Sequence, residues 1–199
     1  MKTLALELST SRGQLAWLDG EIEFASDWPN DRKNSSEFFE NLQTIQRKFG
    51  AADTIIVGLG PGSYAGTRIA ISTAIGIQLS CDARLLGYPS ICAMQCEAQE
   101  FCVIGDARRK SFFFARILEN DLTEGPTLLS EVELRAKLEA LDQAMPILSS
   151  ELLPHFKQSG LSFPSALVLA RLAREASRRF CLPPLEPLYL REPHITIPK

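Results

Sequence analysis

Histidine is almost missing from this sequence: His155 and His194 are the two, and they form no His-x-x-x-His pair. A metal centre built on paired histidines is thereby excluded. Cysteine is sparse and odd in number: Cys81, Cys92, Cys96, Cys102 and Cys181. With no secretory leader beside them, reduced thiols are expected in place of a disulfide framework. Cys92 and Cys96 would stand one helical turn apart, but zinc needs two more donors and neither histidine is near in sequence. Buried apolar thiols are the expected account, and no metal is expected. An excess of one charge is lacking too. Lys+Arg 21 against Asp+Glu 24 leaves a net charge of -3, which argues against autonomous nucleic-acid binding. Met1 leads straight into Leu4-Ala5-Leu6-Glu7-Leu8, with no apolar leader and cleavage site, so a cytoplasmic location is expected.

What is present suits a folded α/β chain. Its 199 residues can hold one substantial domain or two small ones on a common plan, and 45% hydrophobic content is ordinary. Two basic clusters occur, Arg108-Arg109-Lys110 and the set Arg171, Arg174, Arg178 and Arg179. The second follows the polar side of an amphipathic pattern. It reads as a solvated face, or as a place where RNA docks on this chain together with a partner.

The chain is organised around residues 55–80. Ile55, Ile56, Val57 and Leu59 form a run long enough for a strand buried on both faces. Gly60-Pro61-Gly62-Ser63-Tyr64-Ala65-Gly66 then interrupts any periodicity. This loop has no Gly-Lys-Ser/Thr ending, so it is no P-loop, and its glycine spacing misses the dinucleotide fingerprint. Two readings stay open: a tight turn that brings the next helix hard against the sheet, or a cradle of backbone N–H groups for an anion. From Thr67 to about Ser80 the composition is helical. Arg68, Ser72 and Gln78 alone interrupt the apolar surface, so this helix is expected to be covered on two sides. It is too short and interrupted to span a bilayer. One cover is its own sheet; the other is a second layer or another protein. Small residues, Ala70, Thr73, Ala74 and Gly76, permit close approach.

In chain order, strands are expected over residues 2–8, 14–18 and 21–26, with Asp19-Gly20 as a hairpin turn. Asn34 and Glu37 offer a capping box for a helix ending at Gly50. Phe38, Phe39, Leu42, Ile45 and Phe49 share one face of it. A strand follows at Arg84–Tyr88, then a helix from Ser90 toward Ala98 that carries Ile91, Met94 and Cys96. Strands at residues 101–105 and 111–118 flank a turn at Asp106–Lys110, and another turn covers 120–125. Ser130 and Glu133 cap a helix to about Leu141, a short strand covers 145–148, and a last helix runs from Pro164 to about Arg179. The tail 183–191 is extended. Three antiparallel strands and then helix, strand, helix, strand is the order of a ribonuclease-H-like half domain. The second half loosely repeats it, giving two mixed sheets flanked by helices, divided as 1–98 and 99–199.

Three stretches resemble one known family. Gly60-Pro61-Gly62-Ser63-Tyr64-Ala65-Gly66-Thr67-Arg68-Ile69 is similar to the GPGSFTGLRIG signature of TsaB (YeaZ-type) proteins. Gly105-Asp106-Ala107-Arg108-Arg109-Lys110 resembles their second signature, and Glu186-Pro187-Leu188-Tyr189-Leu190-Arg191 resembles their EPxYLR tail. They fall in the family's order across nearly the whole chain. The resemblance implies an ASKHA fold and an accessory, non-catalytic subunit in the making of threonylcarbamoyladenosine in tRNA. It implies a heterodimer with a TsaD-like catalytic subunit, recruitment of a TsaE-like ATPase, and tRNA met through the complex. It also implies that the partner helices are 34–50 and 67–80. The expected interface residues are therefore Phe38, Phe39, Leu42, Ile45, Ala70, Thr73, Ala74 and Ile77, with a homodimer through the same helices when the chain is alone. An arginine replacing Ala74 is expected to abolish binding and leave the monomer folded.

The sequence also departs from the family pattern. Glu7-Leu8-Ser9-Thr10 stands where the family has Asp-Thr-Ser/Ala-Thr, and Ile147-Leu148-Ser149-Ser150 lacks the glycines against which kinases of this fold lay adenosine. No cofactor is expected on the isolated chain; ATP belongs to the partner complex. The competing reading is a small phosphotransferase or hydrolase of the same fold, with Glu7 and Asp106 as facing carboxylates that hold magnesium at a nucleotide cleft. Asp106 is otherwise a turn residue bonded to local N–H groups.

Overall fold

Alternate residues of the first strands divide between two apolar layers, and that division sets the architecture. A computed structural model describes residues 1–30 and 35–191. Strands β1 (Thr3–Glu7), β2 (Arg12–Asp19), β3 (Ile22–Pro29), β4 (Thr54–Gly58) and β5 (Arg84–Tyr88) form a sheet ordered β3-β2-β1-β4-β5. β1 pairs antiparallel with β2 and parallel with β4. Leu4, Leu6, Leu15, Trp17, Ile55 and Val57 point to one face, covered by helices α1 (Ser36–Phe49) and α2 (Tyr64–Cys81). Ala5, Ala16, Leu18, Ile56 and Leu86 point to the other, covered by α4 (Ala166–Leu172).

The second sheet is ordered β10-β9-β6-β7-β8, from β6 (Glu100–Asp106), β7 (Ser111–Leu118), β8 (Asp121–Ser130), β9 (Ile147–Ser149) and β10 (Gly160–Leu161). Phe101, Val103, Phe113, Ala115 and Ile117 join the cluster under α4, so the two sheets share one interior. Their opposite neighbours Cys102, Ile104, Phe112 and Phe114 pack with Leu134 and Leu138 of α3 (Glu131–Glu139). The two mixed five-stranded sheets with flanking helices are the expected ASKHA architecture. Residues 1–98 and 99–199 supply one sheet each, yet α4 and the tail return to the first half: Gly87 and Cys181 exchange two hydrogen bonds of 2.9 Å.

Several local expectations differ from the structure. Asp19 is still in its strand and pairs with Ile22, so the hairpin turn is Gly20-Glu21, with the positive φ of 60° at Gly20. The capping box of Asn34 lies outside the described residues; Ser35 is the N-cap position of α1, and makes no side-chain cap bond. α2 starts at Tyr64, three residues early, because Ser63 Oγ accepts from Gly66 N–H. The segment after Pro89 is a single 3-10 turn, Ser90–Ala93, and not a helix to Ala98. Met94 leaves it extended to bridge Pro164, so Cys92 and Cys96 are not helical neighbours. The turn placed at 120–125 is only Glu119-Asn120, both left-handed, and the rest is strand β8. The Ser130–Glu133 capping box is present on both sides. α4 stops at Leu172, far short of Arg179: Ala173 N–H bonds to Leu169 O, and the chain then turns.

Candidate functional site

The three sequence signatures meet at one place. A cleft of about 520 Å³ is lined by Ser9–Ser11, by Pro61–Ala65, by Asp106–Arg108 and by Pro187–Arg191. It lies between the halves because the tail crosses it: Leu188 N–H donates to Leu59 O at 2.8 Å, the rings of Tyr189 and Tyr64 meet at a tilt with centroids 5.5 Å apart, and Arg191 reaches Arg108 O.

The glycine loop performs packing here. A Cβ on Gly62 would fall 2.0 Å from Ser9 O, and one on Gly66 would fall 2.1 Å from Leu8 O. Ser63 N–H donates to Ser9 O at 2.6 Å. The tight-turn reading is the one that these distances support: glycine lets the loop and the first turn of α2 lie directly on the β1–β2 connection. Arg68 points outward, donating to Tyr64 OH and lying over its ring.

The two carboxylates of the enzyme reading do not face each other across this cleft. Glu7 is fully buried; its Oε1 accepts from Ser9 N–H at 2.7 Å, and burial pushes its carboxyl above the ordinary range against weaker lowering by Ser9 and Ser90. Asp106 does line the cleft, but both its oxygens are engaged by Arg108, by the backbone N–H at 2.7 Å and the guanidinium at 3.0 Å. It is the turn residue of the plainer reading. Arg108, Arg109 and Lys110 are all left-handed at the exposed tip of that turn. Among the described residues no group of three or more His, Cys, Asp or Glu side chains could hold a metal ion.

The docking residues expected from sequence separate into two sets. Phe38, Leu42, Ile45, Ala70 and Ala74 are in the chain's own core, with Ala74 at 0% exposure. They cannot contact a partner without unfolding, which corrects that part of the interface. An arginine at Ala74 would break the fold as well as any docking. Phe39 is 48% exposed, and Thr73 and Ile77 are half-buried. The surface of α2 is carried instead by Arg68, Ser72, Ile75, Gly76 and Leu79, with Ile75 39% and Leu79 83% exposed. The sequence marks this helix as apolar nearly all round, but carries no sign of which side its own sheet takes.

Three of the four arginines of the second basic cluster are spent within the chain, and Arg179 is exposed. Arg171 pairs with Glu23, Arg174 donates to the carbonyls of Gly20 and Met1, and Arg178 holds Tyr88 OH, Asp121 and Glu175. Burial and Asp121 push the Tyr88 phenol upward. Burial also raises the thiols of Cys92, to about 12, and Cys102, to about 11, so both stay protonated. No helix among the described residues is long and apolar enough to cross a membrane.

A family model described as TsaD, tRNA N6-adenosine threonylcarbamoyltransferase, matches residues 38–187. Among solved structures, the chain is similar to a Pseudomonas aeruginosa protein described as uncharacterized with similarity to peptidase YeaZ. They share 18% identity at a TM-score of 0.75, over 96% of this chain and 99% of that one. It is also similar to YeaZ from Pseudomonas aeruginosa, at 18% identity and a TM-score of 0.70, over 86% and 90% of the two chains. None of the curated proteins matches.

Proposed function

The chain belongs to the TsaD family, that of tRNA N6-adenosine threonylcarbamoyltransferase, and on that premise we propose that it is a non-catalytic scaffold subunit. It supports threonylcarbamoyl transfer to adenosine 37 of tRNA by binding a TsaD-like catalytic subunit. The observation that carries this reading is the uncovered apolar edge of α2, where Ile75 and Leu79 stand out from a helix whose other side is in the core. Covering a leucine this exposed contributes about 2 kcal/mol, roughly 30-fold in affinity, so the edge is worth burying against a partner. Phe39 of α1, a helix on the same face of the sheet, is a second exposed apolar side chain. Without the catalytic subunit the same edge pairs two copies of the chain. The TsaE-like ATPase and its ATP, and the tRNA, come with the assembly.

The enzyme reading fares worse on the same residues. Glu7 is fully buried, with its carboxyl raised by that burial, and Asp106 is tied to Arg108, so neither is placed to hold magnesium. The test is co-purification with the TsaD-like subunit of the same cell. Leu79→Arg, alone and with Ile75→Glu, is expected to weaken binding more than tenfold while circular dichroism and melting temperature stay unchanged. Undiminished binding would count against the edge. ATP turnover by the isolated chain with magnesium would return the enzyme reading to the front.

A further inference from the structure

Glu7 is the one carboxyl group among the buried described residues. Its Oε1 is satisfied by Ser9 N–H, but its Oε2 has no hydrogen-bond partner, and neither does the buried Ser9 Oγ. A methyl group on Gly58 would fall 1.8 Å from Glu7 Oε2 and 2.6 Å from Ser90 Oγ, so both oxygens crowd the same side of Gly58. Ser90 Oγ in turn accepts from Gly60 N–H at 2.9 Å. Glu7 is therefore wedged under the glycine loop, beside the hydroxyl that ties that loop down.

The groups around it are neutral. Across β2 it pairs with Gln14, whose Oε1 accepts from Ala166 N–H of α4. On β4 it meets Gly58, on the following connection Ser9, and on the 3-10 turn Ser90. No charged side chain from any of these elements acts on it. An ionised carboxylate would face no cation, with only the Ser9 and Ser90 hydroxyls to answer it, and the lowering they bring is weaker than the cost of burying the charge in a dry interior. A carboxylic acid instead presents an O–H that a neighbouring serine hydroxyl can accept.

We propose that Glu7 holds a proton in the folded protein, and that this proton latches the Gly58–Gly62 loop to β1 through Ser9 and Ser90. Loss of the proton releases the loop and, through Ser63, the first turn of α2. Burial is the leading influence on this carboxyl and acts in the required direction. The unfolded chain gives up the proton above the ordinary value of 4.5, whereas the folded chain keeps it. Stability from this group is complete below that value and falls as pH rises toward the folded value, by about tenfold in the folding equilibrium per pH unit.

The experiment is a carbon-13 NMR titration of the Glu7 carboxyl in the full chain, run beside amide exchange at Gly60. The acid signal is expected to persist well above the pH at which exposed glutamates titrate. Gly60 should lose protection as the signal finally shifts, beyond the intrinsic pH dependence of exchange. In Glu7→Gln, which stays neutral, that excess loss and the alkaline fall in stability are expected to vanish. Should Glu7→Gln not fold, the titration of the unaltered chain decides alone. Titration of Glu7 together with the surface glutamates, or Gly60 exchange indifferent to its ionisation, overturns the latch.

Discussion

The first carbon of any side chain on Gly66 would stand 2.1 Å from the carbonyl oxygen of Leu8. The N-terminal turn of α2 thus rests on backbone and not on side chains, and the adjacent Gly62 repeats the contact on Ser9. Nothing flexible is there to yield, so the position of the helix is fixed by the path of the β1–β2 connection.

Gly66→Ala is accordingly expected to cost about 1–3 kcal/mol, because backbone has to move to admit the methyl group. Gly76 of the same helix has open space, with nothing within 4 Å of an added Cβ. Gly76→Ala is expected to stabilise the chain by about 0.5–1 kcal/mol through helix propensity. Urea midpoints of the two variants check the pair. Equal effects of the same sign would contradict the packing described.

Ala74 and Leu79 lie on opposite sides of α2, at 0% and 83% exposure. Ala74→Arg forces a cation between the helix and its sheet, and loss of cooperative folding is expected. Leu79→Arg should shift the melting temperature hardly at all, since surface substitutions stay within about 0.5 kcal/mol. Thermal denaturation of both tells the core side of this helix from its free side.

Arg178 joins three separate stretches of chain: its guanidinium, only 9% exposed, reaches Tyr88 OH, Asp121, Glu175 and the carbonyl of Glu119. Arg178→Met keeps most of the stem and removes the donors. It is expected to cost about 2 kcal/mol, read from a urea midpoint, since hydrogen bonds to charged groups are lost and the buried Tyr88 loses a partner. Arg179, one residue on and exposed, is the control.

Three surface carboxylates among the described residues contribute to the acid limb of stability. Arg171 holds Glu23 low, Arg135 does so for Glu131, and the Ser130 cap does so for Glu133, each below the ordinary 4.5. Their contribution is present above that value and is lost as pH falls through the lower folded values. Glu133→Gln is expected to flatten this acid limb without altering the alkaline one. Melting temperatures across the acid range, at low salt, check it.

Much of this was legible in the sequence. Leu4, Leu6, Leu15 and Trp17 announce a two-faced sheet, and Ser130 with Glu133 announces a helix start, since each signal depends on neighbours a few residues apart. The glycine loop was legible as a turn whose glycines permit close approach. What it approaches, the carbonyls of Leu8 and Ser9, lies fifty residues earlier and carries no local mark. β8 carries no strand signal in the sequence, because Gly125 and Pro126 look like turn residues, although an edge strand tolerates them. The helical pattern runs past the real end of the last helix because Arg174, Glu175 and Arg178 keep helical spacing. Their side chains bond instead to other strands and their own turn, which outweighs local propensity.

The candidate docking edge shows the same limit. Composition established that α2 is apolar all round, since hydrophobicity is a property of each residue wherever it lies. Only the packed chain decided that Ala70 and Ala74 face β-strands while Ile75 and Leu79 face outward, because the side taken by the sheet depends on how Gly62 and Gly66 seat the helix. Glu7 is the sharpest case: its sequence position suggested a carboxylate at a cleft, and its side chain lies against Gly58, buried, with its carboxyl raised by that burial. Charge state follows surroundings, and surroundings exist only once strands distant in sequence have met.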